Sequence, residues 1–399
     1  MTQRAFKYRF YPTPEQETLL RRTMGCTRLV YNRALAVRTQ AWYDEKKRVG
    51  YSDTSALLTE WKKQDDLQFL SEVSCVPLQQ GLRHLQKAFS NFFEGRAKYP
   101  TFKKKRNGGS AEFTKSAFKF RNGQVFLAKC SLAVADSLSV ENCPKAQHQQ
   151  LSGVKLTRAG RWTVSLLVEV EIEPLPKCSN EIGVDLGVTS LVALSDGEKI
   201  ANPKGFNAKR RKLNKAQKAL SRKQKGSNNR HKARLKVAKV HQEIADARKD
   251  FIHKLTIRLV RENQTIAVED LAAKNMVKNR KLALSITDAS WGELVRQLEY
   301  KCEWYGRTLV KIDRWFPSSK RCGKCGHIVE KLPLNIREWD CPNCGSHHDR
   351  DINAAQNILA VGLAVKVCGA NVRPARHKSD GSCDEAQRSR EVILGITVA

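Results

Sequence analysis

Apolar and polar residues alternate at the start of the chain, with Phe6, Tyr8 and Phe10 set against Lys7 and Arg9. A period of two predicts a short strand over residues 5–11. Thr13-Pro14-Glu15-Gln16 comes next: a side chain that can cap, a proline suited to the first helical position, and a glutamine that completes a capping box. From there to about residue 95 the apolar positions recur at helical spacing, among them Leu19, Leu20, Leu29, Val30, Leu35, Leu57, Leu58, Leu82, Leu85 and Phe89. The basic loop from Lys103 to Gly109 closes this part. Period two returns over 110–176. Phe118 and Phe120 alternate with Lys119 and Arg121 before a turn at Asn122-Gly123, and Trp162, Val164, Leu166, Val168, Val170 and Ile172 share one face.

Pro174 and Pro176 read as a linker into a new domain. Strands are expected over 181–200, with Asp196-Gly197 as the turn, then one or two long helices over 207–262, broken near Gly226 to Asn229. A strand at Thr265 to Val268, a helix from about Trp291 to Tyr305 and a strand near Thr308–Asp313 follow. The stretch 366–399 is polar and poorly patterned, as a disordered tail would be. The pattern is that of an α/β multidomain chain, and 399 residues can hold two or three domains.

Charge narrows the function. Lys and Arg total 72 against 40 acids, a formal charge of +32, which favours a polyanionic partner through counterion release on phosphate contact. Between residues 207 and 249 there are sixteen Lys or Arg and only two acids, Glu243 and Asp246. A run such as Arg210-Arg211-Lys212 can be a solvated helix face or a surface that tracks phosphates, and the imbalance favours the second. No run of eighteen apolar residues occurs, so no membrane span is expected, and the N-terminus lacks an apolar signal core.

Three carboxylates stand out. Asp185 lies in Ile182-Gly183-Val184-Asp185-Leu186-Gly187-Val188, on the face opposite the apolar residues, and the glycines either side are expected to leave open space around it. As a surface aspartate on an amphipathic strand it would be unremarked. Glu269 ends the strand Thr265 to Val268, where a carboxylate is costly unless paired or metal-bound. Asp351 precedes a helix carrying Ala354, Ala355, Ile358 and Leu359; it could be an ordinary cap, and Asp349 is a competing candidate for the third carboxylate, with Asp351 favoured because the residues after it form the helix. Three converging carboxylates suit hard cations such as Mg²⁺. Two ions roughly 4 Å apart would activate water and stabilise the leaving oxygen of a phosphodiester, with Asp185 as the shared bridge and Glu269 and Asp351 each completing one ion.

Of twelve cysteines, four are spaced as C-x2-C-x15-C-x2-C: Cys322, Cys325, Cys341 and Cys344. This spacing predicts one tetrahedral Zn²⁺, structural because four thiolates leave no open position. The other eight are scattered, as thiols in a reducing cytosol would be. His347 and His348 read as bystanders or as nucleic-acid contacts.

These features resemble the TnpB family of insertion-sequence proteins, which are akin to the compact type V CRISPR effector nucleases. The resemblance runs through Tyr8-Arg9-Phe10-Tyr11-Pro12, Val30-Tyr31-Asn32, Asn91-Phe92-Phe93, Pro100 to Lys105, Gly183 to Gly187, Leu282 to Ile286, Phe316-Pro317-Ser318-Ser319, the four cysteines, and Asp349-Arg350-Asp351-Ile352-Asn353-Ala354-Ala355. The last block together with the cysteines is the most specific part.

The resemblance implies a RuvC-like nuclease domain of RNase H type over 179–365, with the basic helices 207–262 and an inserted zinc ribbon at 317–348. Before it would come a wedge β-barrel in two parts, 1–14 and 109–178, split by a helical recognition insert at 15–108. The implied activity is RNA-guided cleavage of double-stranded DNA beside a short motif. The guide RNA would derive from the transposon end and supply sequence specificity, while the protein reads shape and backbone. It implies a monomeric ribonucleoprotein in the cytoplasm, at the nucleoid. Tyr51, Ser55 and Gln79 fall where the family contacts duplex DNA, and Lys103, Lys104 and Lys105 are expected to meet phosphates. All three acidic positions are filled, which argues against the alternative of a non-enzymatic RNA-guided DNA-binding regulator. A transposase acting directly on DNA ends ranks third, since no tyrosine nucleophile with a His-rich metal motif stands out.

Overall fold

The computed structural model describes residues 2–121, 124–129, 149–280, 282–333 and 335–367. The expected turn at Asn122-Gly123 and nearly all of the expected tail at 366–399 lie outside the described residues. The chain divides into two compact units, one of Met1–Glu171 with Ala216–Gln242, the other of Ile172–Lys215 with Glu243–Ala399.

In the first unit, β1 (Thr2–Phe10) leads into α1 (Pro14–Glu45) through the expected capping box: the Gln16 amide donates to the Thr13 hydroxyl oxygen at 3.3 Å, and the Thr13 amide to Gln16 Oε1 at 3.0 Å. Then come α2 (Tyr51–Lys63), a 3₁₀ segment at Asp65–Ser71 and α3 (Cys75–Phe93). Their apolar stripes meet in a core that includes Val30, Leu35, Leu58, Trp61, Leu78, Leu82 and Leu85. The strands β2 (Gly109–Ala111), β3 (Phe118–Arg121), β4 (Gln124–Leu127), β5 (Gln149–Leu156) and β6 (Trp162–Val170) follow.

β1 pairs antiparallel with β6 along its whole length, from Thr2 against Val170 to Phe10 against Trp162. The first strand of the chain thus pairs with a strand more than 150 residues later, in a sheet of order β1-β6-β5-β2, while β3 and β4 form a separate hairpin. The inward face of β6 is the one its alternation predicts: Trp162, Val164, Leu166, Val168 and Val170 are all buried.

The second unit holds a five-stranded sheet in the order β11-β10-β7-β8-β9. Its strands are β7 (Glu181–Leu186), β8 (Ser190–Leu194), β9 (Lys199–Ala201), β10 (Thr265–Glu269) and β11 (Thr308–Ile312). β7, β8 and β9 run as an antiparallel meander, and β10 and β11 add parallel to β7. Between β9 and β10 run α4 (Gly205–Ser221) and α5 (Asn228–Glu262), interrupted around Gly226 as expected. The short helices α6 (Ala273–Met276) and α7 (Ala283–Ala289) precede α8 (Trp291–Tyr305). After β11 the chain enters a small cysteine-rich ribbon with strands β12 (Glu338–Asp340) and β13 (His347–Asp349), and leaves it as α9 (Arg350–Val367). One face of the sheet packs on α5 and α8 through Ile182, Val184, Ile252, Leu259, Leu294 and Leu298. Among the described residues, no helix is long and apolar enough to cross a membrane.

Candidate active site

β7 and β10 lie side by side, their parallel register ending at Val184 against Val268. The next residues in register are Asp185 and Glu269, at the C-terminal ends of strands spaced about 4.8 Å apart. Alternation places Gly183 and Asp185 on one face of β7, and Ala267 and Glu269 on the same face of β10.

That face carries α9. A Cβ on Gly183 would stand 2.0 Å from the Ala355 carbonyl oxygen and 2.9 Å from Leu359, and one on Gly362 would stand 2.5 Å from Ala267. The helix stripe against the sheet is therefore Ala355, Leu359 and Gly362. Asp351 is one turn earlier on that stripe, at the end of the sheet that carries Asp185 and Glu269. Gly183 does not leave open space around the carboxylate, contrary to the expectation from its lack of a side chain. Its space is taken by the α9 backbone, and the glycine is what lets helix and strand approach.

The electrostatics agree. Asp185 is pushed up from 3.8 to about 7, chiefly by burial and then by the negative charges of Glu269 and Asp351. Burial also raises Glu269, against the pull of a hydrogen bond from the Ser318 hydroxyl. Among the described residues, only the four cysteines form a group of three or more whose ligand atoms all lie within 4.8 Å of one another, so the three carboxylates do not close up to that distance. Their neighbours account for this. Arg337 donates to Asp351 Oδ1 at 3.3 Å, Lys199 Nζ lies 3.9 Å from its Oδ2, and Ser318 holds Glu269.

Asp349 takes the cap role that competed for Asp351. Its Oδ1 accepts the amides of Asp351 and Ile352, each at 3.0 Å, and its Oδ2 accepts from Lys199 at 2.5 Å. Burial works against its charge, but Lys199 and the two amides outweigh it and hold Asp349 below its ordinary value. Asp351 is thereby left to face the other two acids.

The four cysteine sulfurs form the expected cluster. Cys322 and Cys344 are 3.7 Å apart, and Cys325 and Cys341 3.6 Å. A tetrahedron with bonds of about 2.3 Å has edges of about 3.8 Å, so the donor set fits one zinc ion. His348 is no bystander: its Nε2 lies 3.0 Å from Cys322 Sγ, and its ring packs on Trp339. Two side chains join this cluster to α9. Asn353 donates to the Arg321 carbonyl at 2.7 Å and accepts from the Gly323 amide at 2.9 Å; Asn357 donates to the Ser318 and Arg321 carbonyls at 2.9 and 2.7 Å. Arg350 reaches the Pro333 carbonyl at 2.7 Å. A usable signal for the asparagines was in the sequence: two amides at i and i+4 in a helix otherwise rich in Ala and Ile must find partners when buried.

The proposed nucleic-acid residues lie on other elements. Tyr51 and Ser55 are one turn apart on α2, Tyr51 beneath the Arg83 guanidinium, and Gln79 is exposed on α3. Lys103, Lys104 and Lys105 are exposed, as are Arg210 and Arg211 on α4. Lys212 is already paired with Glu243 at 3.0 Å.

A family described as "Probable transposase", the OrfB proteins of IS605, matches residues 165–280; "Cas12f1-like, TNB domain" matches 291–358, the span of α8, the ribbon and the first half of α9. A "Helix-turn-helix domain" family matches 1–47, which in this chain is a strand and one long helix. The chain is 57% identical to a "Putative RNA-guided DNA endonuclease" of Streptomyces pristinaespiralis, over 98% of both chains. It is 33% identical to the "Putative RNA-guided DNA endonuclease InsQ" of Escherichia coli K12, over 93% of this chain and 95% of that one. The fold is similar to that in a cryo-EM structure of a Cas12f1–sgRNA–target DNA complex, with a TM-score of 0.54 at 15% identity, covering 87% of this chain and 83% of that one. Identity sustained over nearly the whole length of both chains means that this chain belongs to the TnpB family, the OrfB proteins of IS605-type insertion sequences.

Proposed function

We propose that the chain is an RNA-guided DNA endonuclease that cuts double-stranded DNA beside a short transposon-associated motif, by RuvC-type hydrolysis at Asp185, Glu269 and Asp351. The observation that carries this reading is the register of β7 on β10 beneath α9, which aims all three carboxylates at one end of one sheet. The strand order supports an RNase H-type, RuvC-like domain for residues 179–365: an antiparallel meander extended by two parallel strands, with the ribbon inserted before the last helix. Pairing of β1 with β6 across the helices supports a wedge domain made of 1–14 and 109–178 around a recognition insert at 15–108.

The donor set, three carboxylates of which Asp185 is raised to about 7 by burial and its two acidic neighbours, fits Mg²⁺. Asp185 would be the shared ligand of two ions, with Glu269 and Asp351 completing one each. When bound, such ions activate water and stabilise the charge on the leaving oxygen. The chain's own residues do the rest. Asp185 gives up its proton to become a ligand, Ser318 orients Glu269, and the Asp349 cap with Lys199 fixes the first turn of α9 and so Asp351. The ribbon, through Asn353 and Asn357, keeps α9 seated. The partners are a guide RNA from the transposon end and the target duplex, bound by a monomeric ribonucleoprotein in a prokaryotic cytoplasm, at the nucleoid.

The test is cleavage of a matched target with the native guide in Mg²⁺. The wild-type chain should cut and the Asp185→Ala chain should bind without cutting; equal cutting by both would overturn the reading.

A further inference from the structure

The first unit contains a cavity of about 190 Å³ whose lining includes Met24, Arg28, Lys103, Lys104, Gly109 and Lys155. It lies between α1, the loop before β2, and β5. Four cations line it, and among the described residues none of the four has a carboxylate at ion-pair distance. Elsewhere the chain does pair exposed cations, as at Lys63 with Glu60 and Lys254 with Asp250.

The walls are fixed. Asn32 locks the loop by a reciprocal pair, donating to the Lys103 carbonyl at 3.0 Å and accepting the Lys103 amide at 2.8 Å. The Lys103 ammonium sits 3.9 Å from the centre of the Tyr31 ring, which is itself buried. β2 presses on its neighbours: a Cβ on Gly109 would be 2.6 Å from the Met24 sulfur, and one on Gly108 would be 2.3 Å from the Leu156 carbonyl oxygen. Lys155 faces Ser110 in the register of β5 on β2. These residues come from three separate segments, so their charges are held together by the fold and not by a run in the sequence.

Gathering four like charges around a preformed hollow is unfavourable unless an anion enters. The volume is below the about 300–1,000 Å³ of sites for whole organic ligands, which leaves room for a single phosphate group and little more. We infer that this cavity is a receptor for one backbone phosphate of a nucleic-acid strand, with Arg28 and Lys155 among the cations that line it. The inference rests on the nucleic-acid-binding reading above and adds a site separate from the carboxylates. It also divides the basic loop: Lys103 and Lys104 line the hollow, whereas Lys105 does not.

The test is binding in EDTA, where no cutting occurs, of the full chain stripped of RNA. The probes are the RNA that copurifies with it and a mixed-sequence DNA duplex. An Arg28→Gln/Lys155→Gln chain is compared with a control lacking two exposed cations elsewhere in the unit, Lys47→Gln/Arg48→Gln. The cavity variant should lose at least tenfold in affinity beyond the control for one probe. Its slope of log K against log salt for that probe should fall by about 0.7–0.9 for each phosphate that is no longer engaged. Loss for the RNA alone assigns the phosphate to the guide, and loss for the duplex alone assigns it to the target. Arg28→Lys/Lys155→Arg should restore binding, and the melting temperature of the Gln variant should hold or rise, because repulsion is relieved. Affinity and slope equal to the control for both probes would overturn the inference, as would a fall in melting temperature without loss of binding. Neither outcome would touch the nuclease reading, which fails only on cleavage.

Discussion

At the scale of single residues, the account turns on where protons and hydrogen bonds are held. Asp185 has its folded pKa raised to about 7 from 3.8. In the metal-free chain its contribution to stability is therefore complete below about pH 4, is lost as pH rises toward 7, and changes no further above that. Divalent ions compete with that proton. Binding of Mg²⁺ or Mn²⁺ should tighten with pH up to about 7 and level off beyond it, and Asp185→Asn should abolish the dependence; calorimetric titration across pH 5.5–8 would check this. A pH-independent affinity in the wild type would count against the trio as ligands. His348 gives a second prediction. Because its Nε2 contacts Cys322, His348→Ala should weaken zinc retention about 10–100-fold in a chelator competition, with the four thiols intact. The cysteine cluster was legible from its spacing, and the three candidate acids could be picked out from pattern and resemblance. The supporting side chains were not. Lys199, Ser318 and Asn357 act across 30 to 150 residues of sequence, and no local pattern announces such a contact.

At the scale of elements, the periodicities were strong enough to place α1, β6, α5, α8 and β10 close to where they lie, and the capping box at Thr13 was readable to the residue. Gly183 was misread because a missing side chain looks the same in a sequence whether its space is open or filled. The structure makes the distinction testable. Gly183→Ala would drive its methyl group into the α9 backbone, and overpacking of this kind costs about 1–3 kcal/mol or more. Urea unfolding should show that loss, while an alanine at Gly197, where nothing lies within 4 Å, loses only what its positive φ imposes. The zinc ribbon is the other element with a direct consequence. Removing the metal with a strong chelator, or replacing Cys341 with Ser, should release one zinc per chain and loosen 317–348 to proteolysis. It should also reduce cleavage by unseating α9 through Asn353 and Asn357. A chain that holds no zinc and keeps full activity would refute this coupling.

At the scale of the whole molecule, a charge of +32 sets the terms of association. Affinity for RNA should fall about a thousandfold or more between about 50 and 200 mM salt if six or more phosphates are engaged. Filter binding over that range would show it, and a flat salt response would remove the polyanion argument. The split of the first sheet around its helices came only from the resemblance, since nothing local in residues 2–10 tells that they pair with 162–170. The proposed cleavage rests on something narrower than the charge: carboxylates from β7, β10 and α9 caging divalent ions at one end of a sheet. The most direct measurement is an anomalous difference map of the guide- and target-bound chain in Mn²⁺. We predict metal peaks among the oxygens of Asp185, Glu269 and Asp351, at coordination distances of about 2.0–2.2 Å, and their disappearance in the Asp185→Asn chain. Metal bound elsewhere, with these three carboxylates still held apart in the loaded complex, would contradict the account.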